Sequence, residues 1–207
     1  MHPNSAYRKA EDAQNIAFAR DRAFGTLAIN AESGPLISHI PFQLSADGTY
    51  LEAHLVRSNP ILRALKDGPI DAVIAMSGAD AYISPDWYGV SDQVPTWNYV
   101  AVHLRGTLRA LPQGDLQGVL ERLSGAMEER LLPKPIWTME KMGDGVAEKM
   151  MRMIAPIGME VSGIDGTWKL GQNKPDEVRI GAAEGVASSD LGAETATLAA
   201  LMKKPPC

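Results

Sequence analysis

Two short segments of this chain hold residue types that could do chemistry. The first is His54-Leu-Val-Arg57-Ser58-Asn59-Pro60, where a guanidinium, a hydroxyl and an amide lead into a helix start. A helix N-terminus offers unpaired N–H groups and a positive dipole end, and a neighbouring Arg can grip phosphate oxygens with two donors. The plain alternative is that Asn59 merely caps the helix while Arg57 is solvated. The second segment spans residues 82–99 and carries two of the four Trp and three of the five Tyr. Pro85 and Pro95 stiffen its backbone, and Ser84, Thr96 and Asn98 supply short polar groups. Such a stretch suits a planar polar ligand. Trp87 and Trp97 are equally suited to filling a core, and composition alone favours that use.

A phosphate grip together with a stacking surface describes a mononucleotide site. Flavin mononucleotide (FMN) is the foremost candidate, although another phosphorylated heteroaromatic would satisfy the same chemistry. The four histidines (His2, His39, His54 and His103) lack short metal-ligand spacing. His39 and His54 could meet across a hairpin and face one cavity, but ordinary strand histidines are the simpler expectation. The chain has no Walker-type phosphate loop, no Gly-x-Gly-x-x-Gly turn and no Gly-x-Ser-x-Gly elbow.

Periodicity indicates how these segments are positioned. Residues 11–22 read as a helix and 24–30 as a strand. Residues 36–44 alternate strictly, Asp47-Gly48 signals a hairpin, and 49–56 return as its partner. Asn59 and Pro60 then open a helix that Gly68-Pro69 ends. Residues 70–76 form an apolar strand, and 99–111 a long alternating one. Helices are expected over about 115–131 and 144–154, the second with a side of Val146, Met150 and Met153 packed on the sheet. Residues 157–164, the Asp165-Gly166 turn and residues 167–170 read as a closing hairpin. Beyond Asn173 the chain turns rich in Ala, Gly and Ser, with a helix over 190–202 in prospect. Hairpins without regular crossover helices point to an α+β fold with an antiparallel barrel.

At 207 residues the expectation is one domain with a core large enough to need no disulfide or metal. The net charge of −5 argues against direct nucleic-acid binding. Cys207 is the single cysteine and cannot pair within the chain. The N-terminus lacks the apolar run of a secretory signal, and no segment is apolar for the length of a membrane span, so a cytoplasmic protein is expected.

Six motifs, in order, resemble the PaiB-type FMN-binding negative transcriptional regulators. They are Phe24-Gly-Thr-Leu27, Ser38-His-Ile-Pro-Phe42, His54 to Pro60, Ala81-Tyr-Ile-Ser-Pro-Asp-Trp-Tyr88, Val94-Pro-Thr-Trp-Asn-Tyr-Val-Ala-Val-His103 and Trp168-Lys-Leu-Gly-Gln-Asn-Lys174. The resemblance implies a flavin-binding split β-barrel with flanking helices. Residues 1–207 would form one such domain, with a helical insertion over about 113–155 and a poorly defined tail from about 181. It implies a homodimer with flavin at the interface. By the same resemblance Arg57, Ser58 and Asn59 are phosphate-side residues, and His54, Trp97 and Asn98 are pocket residues. Lys169, Gln172 and Asn173 complete the site. The chain departs from the family in having Gly171 where Ser is usual, and in a short connection from Tyr88 to Val94 without the customary lysine.

The function implied is regulation through bound flavin, with a small-molecule ligand or electron donor as partner and no recognisable DNA-reading element. An FMN-dependent oxidoreductase using a nicotinamide donor is the alternative, and a haem protein with a histidine axial ligand is a second.

Overall fold

The computed structural model describes residues 2–206; the expectation for Cys207 therefore lies outside the described residues. The elements run α1 (Asp12–Arg22), β1 (Phe24–Ile29), β2 (Leu36–Leu44), β3 (Tyr50–Val56), α2 (Pro60–Ala64), β4 (Ile70–Ile83) and β5 (Thr96–Ala110). There follow α3 (Leu116–Glu128), α4 (Val146–Met151), β6 (Ile154–Lys169), α5 (Asp176–Ala187), β7 (Gly192–Ala193) and α6 (Thr195–Lys203). The strands are ordered β1-β2-β3-β6-β5-β4-β7, and β1 pairs antiparallel with β4 as well.

The chain divides into two compact units. The first, Ala19–Ala75 with Leu104–Gly163, holds β1, β2 and β3 and portions of β4, β5 and β6. Because β1 bonds to both β2 and β4, these strands close on themselves as an antiparallel split barrel. Alternation explains its core: Ile40, Phe42 and Leu44 of β2 are buried, as are Leu51, Ala53 and Leu55 of β3. Each buried Leu, Ile or Phe among them contributes roughly 1.5–3 kcal/mol. The β2–β3 turn is fixed by Asp47, whose Oδ1 accepts from Ser45 Oγ (2.6 Å), Thr49 N (3.1 Å) and Thr49 Oγ1 (2.9 Å). These bonds hold the Asp47 carboxyl down to about 2. Helix α3 buries Leu116, Val119 and Leu123 along one stripe, and Arg122 on it grips both carboxylate oxygens of Glu52 at 2.8 and 2.9 Å.

The second unit comprises the described residues of Met1–Phe18, Met76–His103 and Ile164–Cys207. Its core gathers Ala81, Ile83, Tyr88, Val100, Trp168 and Leu170 with Ala182, Val186, Leu198 and Met202.

Three sequence expectations fail here for identifiable reasons. Strand β6 runs unbroken through Asp165-Gly166, so there is no closing hairpin. Gly166 serves close approach rather than a turn, since a Cβ there would lie 2.1 Å from Asn15 Oδ1, which accepts from Trp168 Nε1 at 2.9 Å. The tail expected to be poorly defined is folded into α5 and α6, the latter lying where a helix over 190–202 is expected. Buried Arg179 ties them together by donating to the Lys203 carbonyl (3.1 Å), to the Met202 carbonyl and to Asp176 Oδ1 (2.5 Å). Finally, the Met-rich side expected over 144–154 is not packed away: Val146 and Met150 of α4 and Met153 beyond it are 43, 51 and 57% exposed.

Candidate functional site

The expected site residues fall into two groups, one in each unit. In the barrel unit, β3 ends at Val56 and the backbone turns through Arg57-Ser58 into α2. Asn59 is spent locally: its Oδ1 accepts from Ile61 N at 2.9 Å and its Nδ2 donates to Ser38 Oγ at 2.8 Å. With Pro60 at the first helical position and only five residues in α2, little free N–H remains for a ligand. The expected helix-end contribution therefore shrinks, and Asn59 is a capping residue.

Arg57 is different. It is exposed, yet its Nε donates to the Arg152 carbonyl at 2.7 Å and one terminal nitrogen donates to Gln113 Oε1 at 2.6 Å. Gln113 is itself anchored, its Nε2 lying 3.3 Å from the Met151 and Ile154 carbonyls. A guanidinium has five N–H donors in a rigid plane, so two fix the fork and the rest stay uncommitted. Ser58 beside it is exposed.

His54 goes elsewhere. It pairs with Pro156 in the β3–β6 register and lines an apolar cavity beneath α3 and α4. Its Nδ1 is buried without a partner, and burial holds the imidazole below its ordinary pKa. The expected meeting with His39 does not occur: His39 faces Thr26, with Nδ1 3.1 Å from Thr26 Oγ1, and is exposed.

In the second unit, β5 begins at Thr96, three residues before the expected start, and this splits Trp97 from Asn98. Successive strand residues face opposite ways. Trp97 is 41% exposed, its Nε1 donating to Asp80 Oδ1 at 3.1 Å and its ring meeting Tyr82 edge-on at 6.3 Å. Asn98 is buried, its Nδ2 3.6 Å from the Met202 sulfur, so it is a core residue and not a pocket residue. Trp87 also belongs to packing; it lies so close to α5 that a Cβ on Gly185 would sit 2.3 Å from its ring.

Lys169 donates to Thr96 Oγ1 (2.5 Å) and to the Trp97 carbonyl (2.8 Å), and burial lowers its pKa. A cation thus sits against the strand that displays Trp97. Gln172 closes its own turn, accepting from Leu170 N at 2.8 Å and donating to the Trp168 carbonyl at 2.6 Å. Asn173 is exposed. Gly171 has φ +81°, a left-handed conformation that glycine adopts without strain. Nothing in the local pattern singles out Gln113 or Arg152, whose importance comes from contacts across 56 and 95 residues of chain.

The donors present suit a flavin phosphate and ring. A braced guanidinium and a hydroxyl fit a phosphate, while an exposed indole beside an ammonium fits a flat, electron-poor heterocycle. The antiparallel barrel is the architecture of a flavin-binding split-barrel protein. Residues 1–163 match the family described as "Putative FMN-binding domain". The chain belongs to that family, is of the PaiB type, and its cofactor is FMN. It is 29% identical over 171 residues to the Bacillus subtilis (strain 168) protease synthase and sporulation protein PAI 2, covering 81% of each chain. Two solved structures share the fold. The FAD and heme binding protein from Mycobacterium smegmatis aligns with TM-score 0.58 at 16% identity, over 90% of this chain and 82% of that one. The flavocytochrome Anf3 from Azotobacter vinelandii aligns with TM-score 0.54 at 13% identity, over 83% and 73%. Among the described residues no helix is long and apolar enough to cross a membrane.

Proposed function

We propose that this protein is a cytoplasmic, homodimeric regulator that works through bound FMN without reading DNA itself. Arg57 and Ser58 form its phosphate-side group; Trp97 and Lys169 form its ring-side group, with Asn173 as an available amide. Asn59 and Gln172 act one step back, by shaping the turns that present these residues. The observation that carries this reading is the bracing of Arg57 by Gln113 and Arg152, which orders a charged fork before any ligand arrives. An exposed Arg with no ligand to bind gains little from being held so firmly.

Bound FMN supplies reversible one- and two-electron redox chemistry. What the chain's own residues supply is binding and orientation. Regulation is favoured over catalysis because the burial-shifted histidine, His54, faces apolar walls and not the proposed FMN groups. The net charge of −5 supports an indirect route to any repression, through a protein partner or a metabolite.

The test is spectroscopic. The protein as purified, or after loading with FMN, should show flavin absorption bands and no haem Soret band. Anaerobic NADH or NADPH should reduce the flavin only slowly. Reduction at turnover rates would replace the regulator by an oxidoreductase, and salt-sensitive, sequence-specific DNA binding by the purified protein would overturn the indirect route.

A further inference from the structure

Lys169 is a cation without a counter-charge. Its ammonium is half-buried and donates to two neutral acceptors, Thr96 Oγ1 at 2.5 Å and the Trp97 carbonyl at 2.8 Å. An ammonium has three N–H donors, so one is uncommitted. Burial lowers its pKa, and among the described residues no carboxylate lies within ion-pair distance to offset that.

The titratable groups of the neighbouring segments do not fill the gap. Asp80 takes its hydrogen bonds from Trp97 Nε1 at 3.1 Å and Ala193 N at 3.3 Å, and it is not paired with Lys169. His2 is held below its ordinary pKa, by burial first and by Lys169 second, so it brings no negative charge. Charges withdrawn from water are ordinarily paired, and this one lacks its anion. We propose that Lys169 makes the site hold reduced FMN more tightly than oxidised FMN, so that the protein distinguishes the redox state of its flavin.

The charge change on reduction is what selects this ligand form. A hydride, carrying two electrons and one proton, leaves a C–H bond of a nicotinamide-type donor and forms an N–H bond on the flavin ring. The ring thereby gains one negative charge. Oxidised FMN offers a neutral ring and leaves the ammonium uncompensated; the reduced ring supplies the missing anion. A charge in a partly desolvated setting acts over several ångströms, so the preference needs no direct hydrogen bond from Lys169. This inference rests on the ring-side assignment of Trp97 and Lys169 and adds the form of flavin that the site prefers.

The experiment reduces the FMN-loaded protein stepwise without oxygen beside a redox dye, and compares the midpoint potential of bound flavin with that of free FMN. The reduced form should bind at least tenfold more tightly, which places the bound midpoint about 30 mV or more above the free one for a two-electron couple. Lys169→Met, which keeps the apolar stem and removes the charge, should abolish most of this difference, and Lys169→Arg should retain it. Trp97→Ala should weaken both forms alike. A midpoint at or below that of free FMN, or one unmoved in Lys169→Met, would overturn the inference while leaving the flavin site in place; a purely structural Lys169 gives the second of these results. Unaltered affinity for both forms in Lys169→Met and in Trp97→Ala would instead overturn the ring-side assignment, and the inference with it.

Discussion

Arg57 and Trp97 are both exposed polar-tipped residues at the end of a strand, and both were singled out with their neighbours by sequence. The neighbours behave differently. At Arg57 the chain has left β3 for a turn, where Ser58 is exposed beside it and Asn59 folds back to cap α2. At Trp97 the chain is already within β5, so Asn98 is carried to the opposite face and into the core. Adjacency in sequence means a shared surface in a turn and opposed surfaces in a strand.

The largest effect should come from Arg57→Ala. Losing a charge-assisted contact costs about 1.5–3 kcal/mol, or roughly 10- to 150-fold in FMN affinity by fluorescence quenching, with thermal stability nearly unchanged. A variant that binds FMN normally would break the comparison at its stronger side. Asn98→Ala should show the opposite pattern. Removing a buried polar side chain costs roughly 1–2 kcal/mol of stability in denaturant unfolding, and FMN affinity should stay within about twofold. An affinity loss as large as that of Arg57→Ala, in a stably folded protein, would return Asn98 to the site.

Gln113→Ala sharpens the contrast, because it removes a brace and leaves the charge. About 0.5–1.5 kcal/mol of FMN binding should be lost, a smaller fall than for Arg57→Ala itself. The smallest effect concerns His54. Its folded pKa is lowered by burial, so the unfolded chain takes up the proton first as pH falls. Stability should therefore decline as pH drops through the ordinary imidazole value of about 6.5. In His54→Phe, melting temperatures between about pH 7 and pH 5 should lose that component of the slope; an unchanged slope would show that His54 is not the titrating group.

Much of the barrel was legible from local pattern. Period-two alternation found β2 and β3, and Asp47-Gly48 found the turn between them, because each depends on neighbours close in the chain. The errors came where a distant contact overrides a local signal. Asp165-Gly166 is a turn by composition, yet the Asn15 side chain claims the space that Gly166 leaves, and the strand continues. In the tail, composition points to the helix over 190–202 that is α6 but not to α5, whose buried Arg179 bonds the last carbonyls of α6. The methionines near residue 150 looked like core; they line a cavity and remain partly open to solvent. Of the site, residue types were legible and their commitments were not, since Gln113 and Arg152 reach Arg57 from far along the sequence.

Calorimetric comparison of FMN with riboflavin, which lacks only the phosphate, tests the central claim most directly. A braced Arg57 predicts FMN tighter by tenfold or more, and a gap that largely closes in Arg57→Ala. Equal affinities for the two flavins in the unmutated protein would contradict it.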